Sequence, residues 1–226
     1  MTTTPDAVLA IAGLSEERFA ENRTAGLSEH ERSIDALILE RFAAGQAPAR
    51  AELEPAVADE ELDEILERLV AADLIQLGPG AALLAAYPFS ARPTRHRVRL
   101  VDGRSYWAMC ALDAFGIPQL LEQPAEIDAR EPESETSIHA ALDPASDGAT
   151  WTPRDAVVLA ASSGSSCLAG CACPHINLFA SEGAAERYLA ARPKLRGGTL
   201  SVIDAVAAGR RLFGDLLGRL PSSETT

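Results

Sequence analysis

A thiol and a carboxylate three residues apart are the first side chains in this sequence that can do chemistry. Cys110 and Asp113 lie in the segment Ser105–Leu121, whose pattern predicts a helix interrupted near Pro118. Because residues three apart share one face of a helix, both side chains are expected to point the same way. The carboxylate would hinder an ordinary cysteine nucleophile, which needs a cationic neighbour. The pair suits a soft cation instead, since thiolates select soft metals and the carboxylate can accept and pass on the proton that the sulfur releases.

A second group of thiols follows later in the chain. Cys171 and Cys173 precede His175 and the apolar run Ile176–Ala180, and Cys167 lies just upstream. In a reducing cytoplasm thiols do not form a disulfide framework. Four cysteines, three of them within one short stretch, therefore indicate metal or catalytic chemistry. The alternative is that they are small, buried apolar residues.

Together these stretches resemble the organomercurial lyase (alkylmercury lyase) family, over roughly Leu27 to Leu217. The specific part is the Cys-x-x-Asp segment combined with a distant cysteine before a short apolar strand. The residues that carry the resemblance are Val101–Arg104, Cys110–Asp113, Cys173, His175 and Phe179–Ser181.

The resemblance implies an enzyme of mercury detoxification that protonates the carbon–mercury bond, giving a hydrocarbon and Hg(II). Cys110 and Cys173 would hold the mercury, and Asp113, beside them at the metal, would take a proton from a cysteine and pass it to the leaving carbon. Cys171 and Cys167 are further candidate metal ligands. No organic cofactor is expected. External thiols would be needed for turnover, with Hg(II) handed to cellular thiols or to a mercuric reductase.

The sequence departs from the family pattern at three places. Met109 precedes the first site cysteine where an aromatic residue is expected, and its thioether is itself a soft ligand. Pro174 follows Cys173 where family members often have paired cysteines. An additional structural cysteine of some members has no equivalent, and its expected place falls near Glu131.

Other functions fit some of these residues. Cys167, Cys171 and Cys173 with His175 could close around a metal, which predicts a copper or mercury carrier or sensor on the same fold. Such a protein would take up metal stoichiometrically without releasing hydrocarbon. A winged-helix metalloregulator would instead bind DNA in a salt-sensitive way. A relative acting on another organometallic compound or a different bond to carbon remains a third possibility.

Composition limits the partners. The 226 residues are 47% hydrophobic and 23% charged, as in ordinary globular proteins, and are enough for one large core or two small ones. The net charge of −13 opposes binding to nucleic acid or to an anionic membrane. Ala7–Leu14 is apolar but short, and it follows Asp6 where a signal peptide would carry positive charge. We expect a cytoplasmic protein without nucleic acid or membrane partners.

The chain is predicted to have three parts: an N-terminal arm (1–26), a winged-helix-like three-helix domain (27–90) and an α+β catalytic domain (91–226). Ser28 and Glu31 form a capping-box pattern at the first helix of the middle part. Its third helix begins with the acidic run Asp59–Glu64, which would repel the phosphates of DNA. We therefore expect this part to serve as a packing and lid domain.

The last part is expected to contain more strands than crossover helices, which favours an α+β fold with a mixed or antiparallel sheet and flanking helices. Ala149–Pro153 is predicted to be a loop. His30, His96 and His139 are isolated and are expected on the surface or on a strand face. The predicted strands are Thr94–Val101, Pro124–Arg130, Thr136–Leu142, Asp155–Ala161 and His175–Ala180.

Overall fold

The structure is a computed structural model that describes residues 4–14, 24–57, 59–146, 148–164, 168–214 and 216. The described part is α+β, with antiparallel sheets flanked by helices, so the predicted fold class is confirmed at this level. Buried apolar side chains from the N-terminal helices, the large sheet and the last helix form one continuous cluster.

The α-helices of the described part lie before, between and after the strands. The described helices are α1 (Pro5–Ile11), α2 (Glu29–Ala43), α3 (Arg50–Leu53), α4 (Asp59–Ala71), α5 (Ala111–Leu120), α6 (Leu168–Cys171), α7 (Glu182–Ala190) and α8 (Val202–Phe213).

The strands of the described part are β1 (Ile75–Leu77), β2 (Leu83–Ala86), β3 (Phe89–Ser90), β4 (His96–Leu100), β5 (Ser105–Ala108), β6 (Ala125–Arg130), β7 (Ser137–Leu142), β8 (Ala149–Thr152), β9 (Val157–Ser162), β10 (Asn177–Phe179) and β11 (Arg196–Ser201). They form two antiparallel sheets, one in the order β1-β2-β3-β5-β4-β6-β7-β8 and one in the order β10-β9-β11. Ala149–Thr152 is an edge strand, so the predicted loop at this place is wrong; the strand gains its backbone partners from the neighbouring strand Ser137–Leu142.

The N-terminal helices are held by local caps and by packing. The capping box predicted at α2 is confirmed, because the Ser28 hydroxyl accepts from the Glu31 backbone N–H and the Glu31 carboxylate accepts from that of Ser28. Helix α4 packs on α2, and the hairpin of β1 and β2 follows it. Further upstream, α1 lies in the stretch predicted as an arm and packs on β11 and β9, with Val8 and Leu9 buried.

Helices α5 and α8 pack closely against each other. A Cβ atom added to Gly209 would lie 3.0 Å from the backbone nitrogen of Gly116, and one added to Gly116 would lie 2.2 Å from Cδ2 of Phe213. The two glycines therefore allow the helix backbones to approach, and α8 fixes the position of α5 over the large sheet.

The helix predicted over Ser105–Leu121 begins later than expected. Ser105–Ala108 is strand β5, which pairs with β3 and β4, and Cys110 is the N-cap residue of α5. The aromatic residues Tyr106 and Trp107 favour a strand, and strand pairing decides the outcome here. Cys110 and Asp113 are thus brought together by the first turn of a helix, with Cys110 at the cap and Asp113 at the third helical residue.

None of the described helices is both long and apolar enough to span a membrane.

Candidate active site

Cys110 lies where β5 ends and α5 begins, and backbone hydrogen bonds fix it from two sides. The N–H of Met109 donates to the carbonyl of Pro88 at 3.3 Å, and the N–H of Ala111 donates to the carbonyl of Ile176 at 3.0 Å. The carbonyl of Cys110 accepts from the N–H of Ala114 as the first bond of the helix. The thiol is therefore attached to rigid elements on both sides.

Cys173 begins a turn of 3-10 helix that leads into β10. The N–H of Ile176 donates to the carbonyl of Cys173, and the side-chain amide of Asn177 donates to the carbonyl of Pro174 at 2.8 Å. Asn177 is itself buried. These bonds hold the turn so that the thiol of Cys173 points into the protein.

The tertiary structure brings the three predicted catalytic residues into one cluster. Each of Cys110, Asp113 and Cys173 offers one ligand atom (a sulfur or a carboxylate oxygen), and these atoms lie within 4.8 Å of one another. The residues are only 2%, 1% and 6% exposed. Two thiols and one carboxyl group, shielded from water, can bind a soft cation and move a proton beside it.

The pKa of the Cys110 thiol is raised well above its ordinary value. Burial is the largest cause, followed by a hydrogen bond with Cys173 and then by the negative charge of Asp113. Without a bound metal, Cys110 is therefore a protonated thiol at neutral pH. A soft metal ion reverses this preference, because a coordinating thiol gives up its proton to the bond with the metal.

Tyr87 contacts the site, although sequence analysis did not select it. Its hydroxyl oxygen lies 3.8 Å from the sulfur of Cys173, and both residues are buried. Tyr87 lies between β2 and β3, outside any recognisable motif, so the sequence contains no signal that would assign it to the site.

The other candidate metal ligands lie outside the cluster. Cys171 is half-buried at the end of α6 and is not among the three grouped residues, and Cys167 falls outside the described residues. The imidazole Nδ1 of His175 lies 3.0 Å from the hydroxyl of Tyr188. Burial, and then the charge of Arg192, lower the pKa of His175. The structure thus does not gather Cys171, Cys173 and His175 at one metal position.

The three departures from the family pattern have different surroundings. Met109 is partly buried against the hydrophobic core, and Pro174 is exposed. Glu131, near the place expected for an additional cysteine, is buried and accepts hydrogen bonds from the backbone of Ala180 at 2.7 Å and from the hydroxyl of Ser134 at 2.8 Å. Its carboxylate ties the turn between β6 and β7 to the end of β10.

His96, which was expected on the surface or on a strand face, lies on a strand face and is buried. It lies on the buried face of β4, opposite Ala108 of β5, and both ring nitrogens are buried without a hydrogen-bond partner. Burial, and then the charge of Arg95, lower its pKa to about 3. The imidazole is therefore neutral, and it lies on the face of the sheet that packs against α5.

The chain matches a known protein family and resembles a solved structure. The family model described as alkylmercury lyase matches residues 89–214, more than half of the chain. A solved structure described as the mercury-bound form of MerB2 is similar, with a TM-score of 0.76 and 22% sequence identity over 89% of this chain and 98% of that one. None of the curated proteins compared with the chain matches it. At this identity the structural match concerns the fold.

Proposed function

Since this chain belongs to the alkylmercury lyase family, whose activity is cleavage of the carbon–mercury bond, we propose that Cys110, Cys173 and Asp113 carry out that reaction here. The supporting observation is the buried cluster in which two sulfurs and a carboxylate oxygen lie within 4.8 Å of one another. The proposed reaction uses only the two thiols, the carboxyl group and the mercury that the substrate brings, so it involves no organic cofactor.

The reaction balances with these three groups and one small thiol. An organomercurial R–Hg–SR′ exchanges its thiolate for the two cysteine sulfurs, and one cysteine proton leaves with R′SH. The other cysteine proton passes to the carboxylate of Asp113. The carboxylic acid then donates it to the carbon, and the electron pair of the carbon–mercury bond becomes the carbon–hydrogen bond. The products are RH and Hg(II) bound by Cys110 and Cys173, with no change in oxidation state.

The burial of the cluster suits each step of this reaction. The protonated thiol of Cys110 keeps its proton available until the metal displaces it, as its raised pKa implies. Asp113 stands at the third residue of α5, within reach of the cysteine at the cap, so the proton moves over a short distance. The exclusion of water strengthens the interactions between the charges that move.

Release of Hg(II) would require external thiols, because two buried thiolates hold a soft cation firmly. We propose transfer to small cellular thiols or to a mercuric reductase. Cys171, two residues before Cys173 and more exposed, is a candidate for an intermediate ligand, and Cys167 is a further candidate from the sequence. The proposed chemistry needs these cysteines as free thiols, which a reducing compartment maintains, so we propose a cytoplasmic location.

We also propose that residues 27–90 form a winged-helix-like domain that covers the site without binding DNA, between an arm (1–26) and the catalytic domain (91–226). Three helices followed by the hairpin of β1 and β2 are in the order that such a domain needs. The acidic residues at the start of α4 oppose contact with phosphates.

The deciding experiment is release of benzene from a phenylmercury compound by the purified protein with an excess of small thiol. We expect release by the wild type and none by Cys173→Ser. A Ser201→Ala variant, altered at the N-cap of α8, serves as a control for folding. Binding of Hg(II) without benzene release by the wild type would contradict the proposed function.

A further inference from the structure

We propose that Tyr87 is a positioning residue for the reaction, holding the sulfur of Cys173 through its hydroxyl group both before and after mercury binds. The proposal rests on the proposed function, because it gives Cys173 the role of a mercury ligand. Tyr87 lies two residues before the stretch that the family model matches. The contact therefore adds a residue from the N-terminal half to the site.

The contact is buried on both sides. The hydroxyl oxygen of Tyr87 lies 3.8 Å from the sulfur of Cys173, within the range of hydrogen bonds to sulfur, and the two residues are 5% and 6% exposed. Water has little access to a contact of this kind. A partner that is lost there is not replaced by solvent, so the interaction matters more than it would on the surface.

The backbone around Tyr87 is fixed relative to the other site thiol. The carbonyl of the next residue, Pro88, accepts from the N–H of Met109, and Phe89 pairs with Ala108 of β5. The backbone N–H of Tyr87 donates to the carbonyl of Leu74 at 3.4 Å. The segment that carries the hydroxyl is therefore joined to the residues immediately before Cys110, and it reaches across to Cys173.

A hydroxyl group is suited to both states of this sulfur, because it can donate and accept. Before mercury binds, the thiol of Cys173 donates its hydrogen to the oxygen of Tyr87. When mercury displaces that hydrogen, the sulfur can only accept, and rotation about the bond between the ring and the oxygen lets Tyr87 donate to it. The sulfur keeps one partner, and thus one direction, throughout the reaction.

The first test removes the hydroxyl and keeps the ring. We expect Tyr87→Phe to slow single-turnover benzene release from phenylmercury by about fivefold to tenfold, the effect of one buried hydrogen bond. The matched control is Tyr106→Phe, which removes another buried hydroxyl, one that donates to the carbonyl of Ala43 at 2.6 Å. This control should lose stability while keeping the wild-type rate. Equal rates for Tyr87→Phe and the wild type would overturn the proposal.

A second test needs no variant at Tyr87. The chain has three tyrosines, so full-length protein grown with 3-fluorotyrosine gives three fluorine resonances, and Tyr106→Phe and Tyr188→Phe assign them by elimination. One equivalent of Hg(II) should shift the resonance of Tyr87 and leave that of Tyr106 in place. An unshifted Tyr87 resonance would overturn the proposal even if Tyr87→Phe does not fold. Absence of benzene release by the wild type would instead count against the proposed function alone.

Discussion

The backbone N–H of Ala111 donates a hydrogen bond of 3.0 Å to the carbonyl of Ile176. It joins the residue after Cys110 to a residue three positions after Cys173, so the two turns that carry the site thiols are attached directly to each other. Because both turns also lead into packed elements, α5 and β10, the separation of the two sulfurs is set by the fold before any metal arrives. A preorganised pair of thiols does not have to lose conformational freedom when it binds a metal.

Replacement of Asp113 by Asn should separate metal binding from proton transfer. The amide cannot accept and return a proton, so we expect carbon–mercury cleavage to slow by about 10²- to 10⁴-fold, the usual contribution of a general acid or base. The two thiols remain, and one equivalent of Hg(II) should still bind. The measurement is benzene release beside a mercury titration. The control is Glu126→Gln, at an exposed carboxylate of β6, which should keep the wild-type rate. If Asp113→Asn releases benzene at the wild-type rate, the carboxylate of Asp113 is not the proton carrier.

Asp113→Asn should also make the thiol of Cys110 more reactive when no metal is bound. The negative charge of Asp113 is one of the causes that raise the pKa of this thiol, so its removal lowers that pKa and increases the thiolate fraction at neutral pH. Each unit of pKa changes the thiolate fraction by about tenfold. The rate of alkylation of the peptide containing Cys110, followed by mass spectrometry across pH, measures the effect. A rate identical to that of the wild type would mean that burial and Cys173 alone determine the pKa.

Buried, neutral His96 should make the protein sensitive to acid. Its pKa is lowered from 6.5 to about 3 in the folded chain, so the unfolded state binds a proton that the folded state does not. The contribution of neutral His96 to the free energy of unfolding is complete above pH 6.5 and is lost as the pH falls toward 3. At pH 5 the loss is about 2 kcal/mol.

We therefore expect His96→Leu to reduce the loss in free energy of unfolding between pH 7 and pH 5, measured by urea denaturation. His30→Gln, at an exposed histidine whose side chain is 68% exposed, is the control and should follow the wild type. If His96→Leu loses as much stability as the wild type between these two pH values, His96 is not the source of the acid sensitivity.

Gly116→Ala should destabilise the contact between α5 and α8. The added Cβ would lie 2.2 Å from Cδ2 of Phe213, which must move although it is fully buried. Overpacking of this kind costs about 1–3 kcal/mol in free energy of unfolding, despite the higher helix propensity of alanine. Gly183→Ala in α7 is the matched control, because its nearest atom would be Nη1 of Arg187 at 3.5 Å, an ordinary contact. The measurement is the free energy of unfolding of both variants, by heat and by denaturant. Equal values for Gly116→Ala and Gly183→Ala would contradict the close approach of α5 and α8.

Local patterns in the sequence were sufficient to predict several structural features. The capping box of Ser28 and Glu31 depends on residues three apart, and the hairpin of β6 and β7 depends on alternation within each strand. The spacing of Cys110 and Asp113 likewise places the two groups on one turn, even though the helix begins one residue after the cysteine. These are short-range interactions, so the order of the residues determines them.

Contacts between distant parts of the chain were decided by the tertiary structure. Nothing local indicates that Cys173 meets Cys110, that Tyr87 reaches the sulfur of Cys173, or that His96 is buried opposite Ala108. Strand β5 also depends on its neighbours, because Ser105–Ala108 forms a strand through pairing with β3 and β4. The sequence by itself determined the reactive groups and their local turns. Their distances, and their isolation from water, come from long-range packing, which no short segment encodes.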